Sequence, residues 1–377
     1  MDYWEARAVR QMRQAQRTAE QTLARVQSVY DAALRNIEAQ VRRMRTNYAR
    51  SYGLSHAQMT SYLASPCDRA EYLHILELAE GLPEGSELRQ QLYGRAASGA
   101  YSYRISRAEA MKLNIQAQMG LCAQAEEKAL RGTLQRVGQA ALNDSDVYAI
   151  GGVGMQGDTS RLLSRLMNSQ WDGAGFSERI WKRAGKLGKV LDETILAGME
   201  AGDSASKMAR QLARTMDVNL YEASRLVRTE VSRMQNVTCI ERFKAEGVEQ
   251  YRWSSALDKT TCERCGEMDQ QVFDVDRAKL GKTLPPLHPF CRCTVLAIIP
   301  EAEEEDGEPS RKHTRWSETG KVDASTSWEE WKDGAGTKGS GNIAMVTANT
   351  TLQTIGESGT ITYGEPILSS LGAKARN

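Results

Sequence analysis

Between Asp258 and Cys293 the sequence gathers four of its seven cysteines, one of its four histidines and three of its eight prolines. Cys262 and Cys265 form a C-x-x-C knuckle, and a spacer of 22 residues leads to His288, Cys291 and Cys293. Two thiolates at i and i+3 can turn onto one ion, and a distant second pair completes a tetrahedron, so the chemistry to expect is structural Zn2+ binding. Five candidates compete for four positions: Cys291 with Cys293 makes a C-x-C clip, whereas His288 with Cys291 makes an H-x-x-C clip. Spacing does not choose between them. Reduced buried thiols and a redox pair are the competing readings. An odd cysteine count speaks against a disulfide framework, and no βαβ unit surrounds Cys262 as a redox knuckle would need. The amino terminus lacks the pattern of a secretory signal, which fits a reducing compartment.

The same residues resemble a family. The order D-x-x-x-C-x-x-C, a Val-Phe strand and P-P-x-H-P-x-C-R-C, preceded by an R-T-E helix, resembles the Mu F-like minor head (head morphogenesis) proteins of tailed bacteriophages. The positions that carry it are Arg228, Thr229, Glu230, Trp253, Asp258, Cys262, Cys265, Phe273, Pro286, His288, Pro289, Cys291, Arg292 and Cys293. The resemblance spans about residues 176–300. It implies a low-copy structural protein inside the capsid, associated with the portal during head assembly alongside scaffold and capsid proteins, and close to packaged phage DNA. The localisation it implies is the virion interior, with host cytoplasm during assembly.

The residues that must position this cluster are mostly helical. The expected fold class is mainly α: long amino-terminal helices and a helical body, then a small α+β module with a Cys/His zinc site, then a disordered or short β tail. We divide the 377 residues into a helical region at 1–150, a Gly-rich linker at 151–175, the Mu F-like module at 176–300, and an acidic linker with a low-complexity tail at 301–377.

Residues 2–52 contain no Pro or Gly. Ala19, Leu23, Val26, Tyr30, Ala33, Ile37, Val41, Met44 and Tyr48 advance in steps of three and four, which draws one apolar stripe along a helix. Such a helix cannot be stable alone. Its other faces carry ten arginines against five acids up to position 50, which suits either DNA phosphates or the solvated side of a helical pair. The stripe favours the second. Overall, 49 basic residues balance 48 acidic ones, so the chain is not a simple polycation. No apolar run is long enough to span a bilayer.

Helix starts are expected at the Ser55 and Ser106 capping boxes and at an Asp68 cap. Cys67, Cys122 and Cys239 read as core residues. Gly152–Gly157 fits G-x-G-x-x-G, but no strand-bearing nucleotide-binding unit surrounds it, so a glycine loop is the better reading. From Ser177 to Ala245 three helices are expected, with breaks at Gly198, Gly202 and Asp217–Asn219. Glu230 lies on the apolar stripe of the last of them. We expect it to brace the metal loop through Arg292 or the loop amides, the alternative being a surface pair with Arg233. Three short strands follow, at 250–254, 271–273 and 294–299. The six acids of 301–308 suit a solvated linker, and for the tail the composition leans towards disorder.

No catalytic residue is assigned. A hydrolase would need His288 to activate a cysteine, and a nuclease would need an open metal position; both compete with one closed site for the same side chains. The alternatives to a structural head protein are a zinc-stapled nucleic-acid-binding protein and a metal-dependent nuclease.

Overall fold

A computed structural model describes residues 3–52, 58–96, 105–143, 158–170, 173–298, 314–323 and 325–334. The Ser55 capping box, the glycine loop at 152–157 and the tail after residue 334 lie outside them.

The amino-terminal stripe forms one uninterrupted helix, α1 (Tyr3–Tyr52). Ala19, Val26, Tyr30, Ile37, Val41 and Met44 are all buried, and Leu23 packs half-buried beside them. Arg10, Arg13, Arg17, Arg25 and Arg35 are exposed on the opposite side, the arrangement expected of a solvated helix face.

Three short helices follow, α2 (Met59–Ala64), α3 (Arg69–Glu80) and α4 (Glu87–Ala96). A full capping box starts α3: Asp68 accepts from the Glu71 amide at 2.8 Å, and the Glu71 carboxylate accepts from the Asp68 amide at 3.1 Å. The central helix is α5 (Arg107–Leu142), capped by the Ser106 hydroxyl on the Glu109 amide. Packing against α1 and two later helices buries it on several sides, so its apolar face drifts from Met111, Ile115 and Met119 on to Leu130 and Leu134. Cys122 lies in this core, and burial pushes its thiol up to about 12. Such a thiol is inert.

A short α6 (Thr159–Asn168) leads to α7 (Phe176–Glu200) and α8 (Ala205–Ala245). Two helices therefore stand where three are expected, because α8 runs straight through Asp217–Asn219. The polar side chain of Asn219 is buried and accepts a 3.0 Å hydrogen bond from Arg183 on α7, so it joins the two helices. Arg183 also pairs with the fully buried carboxylate of Glu126 on α5, which accepts from the Tyr30 hydroxyl at 3.1 Å. One polar network thus ties α1, α5, α7 and α8 together through their core.

Gly247 closes α8 with a left-handed φ of 72°, and the chain turns into a small sheet. Strands β1 (Gln250–Ser254), β2 (Val272–Asp274) and β3 (Thr294–Ile298) are antiparallel in the order β2-β1-β3, with Tyr251 opposite both Phe273 and Ala297. Tyr251 and Val295 face Phe243 and Ile240 of α8 in a separate core beneath the sheet. Helix α1 reaches β3 as well as the helical body.

Beyond the acidic linker the structure departs from a disordered tail. Strands β4 (Thr314–Ser317) and β5 (Gly320–Asp323) form a hairpin, followed by a helical turn, α10 (Trp328–Gly334). Trp328 and Trp331 are buried with Leu257. These tryptophans give a polar segment an apolar anchor on the rest of the fold.

Candidate metal centre

Asp258 organises the approach to the knuckle. Its carboxylate accepts from the Thr260 amide at 2.9 Å and the Thr260 hydroxyl at 2.8 Å, and it pairs with Arg292 at 2.6 Å. Arg292 also reaches the Thr260 hydroxyl. Since Arg292 stands between Cys291 and Cys293, this contact joins the two halves of the cysteine motif. Cys262 then caps a single helical turn, α9 (Glu263–Glu267), which brings Cys265 back onto the same side.

The second half is held from α8. The hydroxyl of Thr229 accepts the Phe290 amide at 3.1 Å and donates to the Arg225 carbonyl at 2.6 Å. Phe290 has a left-handed φ of 63°, an unfavourable conformation for a bulky residue, which the surrounding contacts enforce. Further along α8, Asn236 donates to the Cys293 carbonyl at 3.1 Å. Beneath the site, Ser255 accepts from the Trp253 indole at 3.0 Å and donates to the Cys265 carbonyl at 2.6 Å.

All five expected side chains converge. They form two triples that share Cys265, one with Cys262 and His288 and the other with Cys291 and Cys293, with ligand atoms within 4.8 Å of one another in each. His288 Nε2 lies 3.3 Å from Cys262 Sγ and 3.2 Å from Cys265 Sγ, and Cys265 Sγ lies 3.8 Å from Cys291 Sγ. Sulfurs bound at about 2.3 Å to one tetrahedral ion stand about 3.8 Å apart, and a sulfur and an imidazole nitrogen about 3.5 Å apart. These three spacings are close to those values, and the two triples meet at Cys265. His288 Nδ1 lies 2.7 Å from the Pro289 carbonyl, which leaves the Nε2 lone pair facing the sulfurs, as a metal-binding imidazole requires. The Cys291 thiol is held well below the ordinary thiol range by hydrogen bonds from Cys265 and then Cys293, while the same contact with Cys291 pushes Cys265 up. All seven cysteines are free, so no disulfide competes for them.

Other supporting residues differ from expectation. Glu230 is buried, but Arg292 is engaged with Asp258 instead; Glu230 accepts from Arg233 Nε at 2.7 Å. Arg233 continues to the Leu166 carbonyl and the Ser169 hydroxyl, both at 3.0 Å, so the pair fastens the end of α6 to α8. One helical turn offers this partner more cheaply than a distant loop does. Glu230→Gln is therefore expected to lower stability by about 1–3 kcal/mol in chemical denaturation, with metal content unchanged. Arg228 reaches Glu20 of α1 at 3.8 Å, a contact between helices and not with the loop. Thr229, central to the R-T-E tripeptide, has the bracing role expected of its neighbour.

A latch beyond the cysteine motif completes the module. Both oxygens of buried Asp269 accept from Arg315, at 2.8 and 3.1 Å, and also from the Ser255 and Trp328 amides at 2.7 and 2.8 Å. Arg315 further donates to the carbonyls of Ser255 and Thr326. Trp328 covers Gly266, next to Cys265, so closely that a side chain there would meet the indole ring.

Comparison with known proteins finds likenesses that include this module. The Phage Mu protein F like family matches residues 189–296. The chain is 26% identical over 151 residues to the NAD(+)--arginine ADP-ribosyltransferase EFV of Enterococcus faecalis, covering 36% of this chain and 31% of that protein. It is 27% identical over 157 residues to the minor head protein GP7 of Bacillus phage SPP1, covering 37% of this chain and 49% of that protein. The chain thus spans less than half the length of either curated relative. No solved structure matches. Residues 189–296, which carry α8, most of the three-stranded sheet and the whole cysteine–histidine cluster, are thus the part of the chain that is similar to the Phage Mu protein F like family.

Proposed function

We propose that this chain is a structural minor head protein of a tailed bacteriophage, internal to the capsid and acting with the portal, scaffold and capsid proteins during head assembly in the host cytoplasm. The observation that carries the reading is the family match over residues 189–296, on a module whose Cys/His side chains close on one another. The likeness to SPP1 GP7, itself named a minor head protein, supports it. Packaged DNA is a natural neighbour for such a protein, and the exposed arginines of α1 are the surface that would meet it. Among the described residues, no helix is long and apolar enough to cross a membrane.

In this reading the cluster is a Zn2+ staple formed by Cys262, Cys265, His288 and Cys291. We leave Cys293, the fifth candidate, outside the set: its Sγ lies within 4.8 Å of those of Cys265 and Cys291 but also contacts the Ser255 hydroxyl at 3.8 Å. Four protein ligands leave no position for a reacting water, so the site's role is to join two loops and a sheet too small to hold them. No catalytic step is assigned to the chain. Two-thirds of the Enterococcus protein lies outside the shared stretch, so that likeness brings no activity with it.

Co-expression with the neighbouring portal, scaffold and major capsid genes, followed by quantitative mass spectrometry of purified procapsids, tests the proposal. Low, fixed copies per particle that vanish when the portal is omitted are expected. Absence from particles would overturn it.

A further inference from the structure

A cleft of about 560 Å³ opens beside the His288–Pro289 turn, between α7, α8 and the Leu280–Lys282 turn, within the size range of ligand sites. Leu226, Leu280, Leu287 and Pro289 give it apolar walls, and Arg179, Arg183, Arg225 and Lys282 surround them. Two carboxylates also line it, but Glu230 is already paired with Arg233. Arg183 is held rigidly by Glu126 and Asn219, whereas the side chains of Arg225 and Lys282 have no partner among the described residues.

One turn before Arg225, Tyr221 is 63% exposed, as is Val218 on the same face of α8. The Tyr221 ring lies 5.8 Å from that of Phe290, whose strained backbone is pinned by Thr229. A strained backbone thus holds an aromatic ring beside an exposed tyrosine, each next in the chain to a residue that lines the cleft, Pro289 and Glu222. Aromatic and arginine side chains around an apolar depression are the composition of interface hot spots.

We propose that this cleft is a docking site for an acidic segment of a partner protein that carries an apolar or aromatic anchor. The anchor enters between Leu226, Leu287 and Pro289, its flanking carboxylates meet Arg225 and Lys282, and Tyr221 with Phe290 covers it from water. Charge complementarity selects the acid. The walls select a peptide over a nucleic-acid strand: Leu226, Leu280, Leu287 and Pro289 offer contact to an apolar side chain that a phosphate backbone does not carry, and the two rings are inclined at 51°, so they offer no parallel stacking faces. The inference depends neither on the identity of the metal nor on the place of the chain in a particle.

The test uses the purified full chain and a fluorescein-labelled twelve-residue peptide of glutamates and aspartates around a central Leu-Phe pair, read by fluorescence anisotropy. Saturable binding is expected, weakened at least about tenfold by Arg225→Glu and by Tyr221→Ala at unchanged Tm, and absent for the same peptide with lysines in place of its acids. No saturable binding, binding indifferent to both substitutions, or a twelve-nucleotide single strand that outcompetes the peptide at this site would overturn the proposal.

Discussion

Changing Cys265 to serine is expected to remove the metal and unfold the module that surrounds it. Cys265 belongs to both triples of ligand atoms, is 1% exposed, and its carbonyl is held by Ser255. Serine in its place keeps the volume but offers a poor ligand for a soft-leaning ion. A structural zinc contributes its binding free energy to folding, so the loss should exceed about 4 kcal/mol, the range in which single substitutions become diagnostic. Metal content should fall to near zero, with the near-ultraviolet signal of buried Trp253 lost at a temperature where the native chain keeps it. Cys293→Ser separates the ligand from its neighbour: full metal content is expected there, because the proposed set of four leaves Cys293 out.

The second large effect concerns the latch. Asp269→Ala should lower stability by about 3–5 kcal/mol, because it leaves the Arg315 guanidinium, 2% exposed, without its carboxylate. Two backbone amides, of Ser255 and Trp328, lose their acceptor at the same time. Arg315→Met should be nearly as damaging, since it strands the carboxylate. Combined as Asp269→Leu with Arg315→Met, the changes should cost clearly less than the sum of the single ones, as removing both partners of a buried pair leaves no uncompensated charge. A double-mutant cycle in urea measures this coupling. Additive single effects would show that Arg315 and Asp269 act separately and that the hairpin is not fastened through them.

What could be read in advance follows the range of the interactions involved. The long first helix was legible because its stripe repeats over many turns and each turn repeats the signal. The convergence of the cysteines with His288 was legible because C-x-x-C and H-P-x-C-R-C set their local geometry. Burial of Glu230 could be read from its helix face, but its partner could not, since Arg233 within one turn and Arg292 across the module satisfy the same pattern. The break expected at Asp217–Asn219 failed for a related reason. A helix-disfavouring asparagine was offset by Arg183, 36 residues away. Least legible was the latch: Arg315 and Asp269 are 46 residues apart, and an acidic linker separates Arg315 from the cysteine motif. Only the recurrence of tryptophan at 328 and 331 hinted that the segment had something to bury.

The central claim is that four of the five converging side chains hold one structural ion. Native mass spectrometry of the full chain, purified without added metal and compared with the same sample after acid denaturation, tests it most directly. The account predicts one zinc per chain, retained in the Cys293→Ser variant and lost from Cys265→Ser together with the fold of the module. A native chain that carries no metal, with the cysteines reduced and the module folded in the presence of a strong chelator, would contradict it.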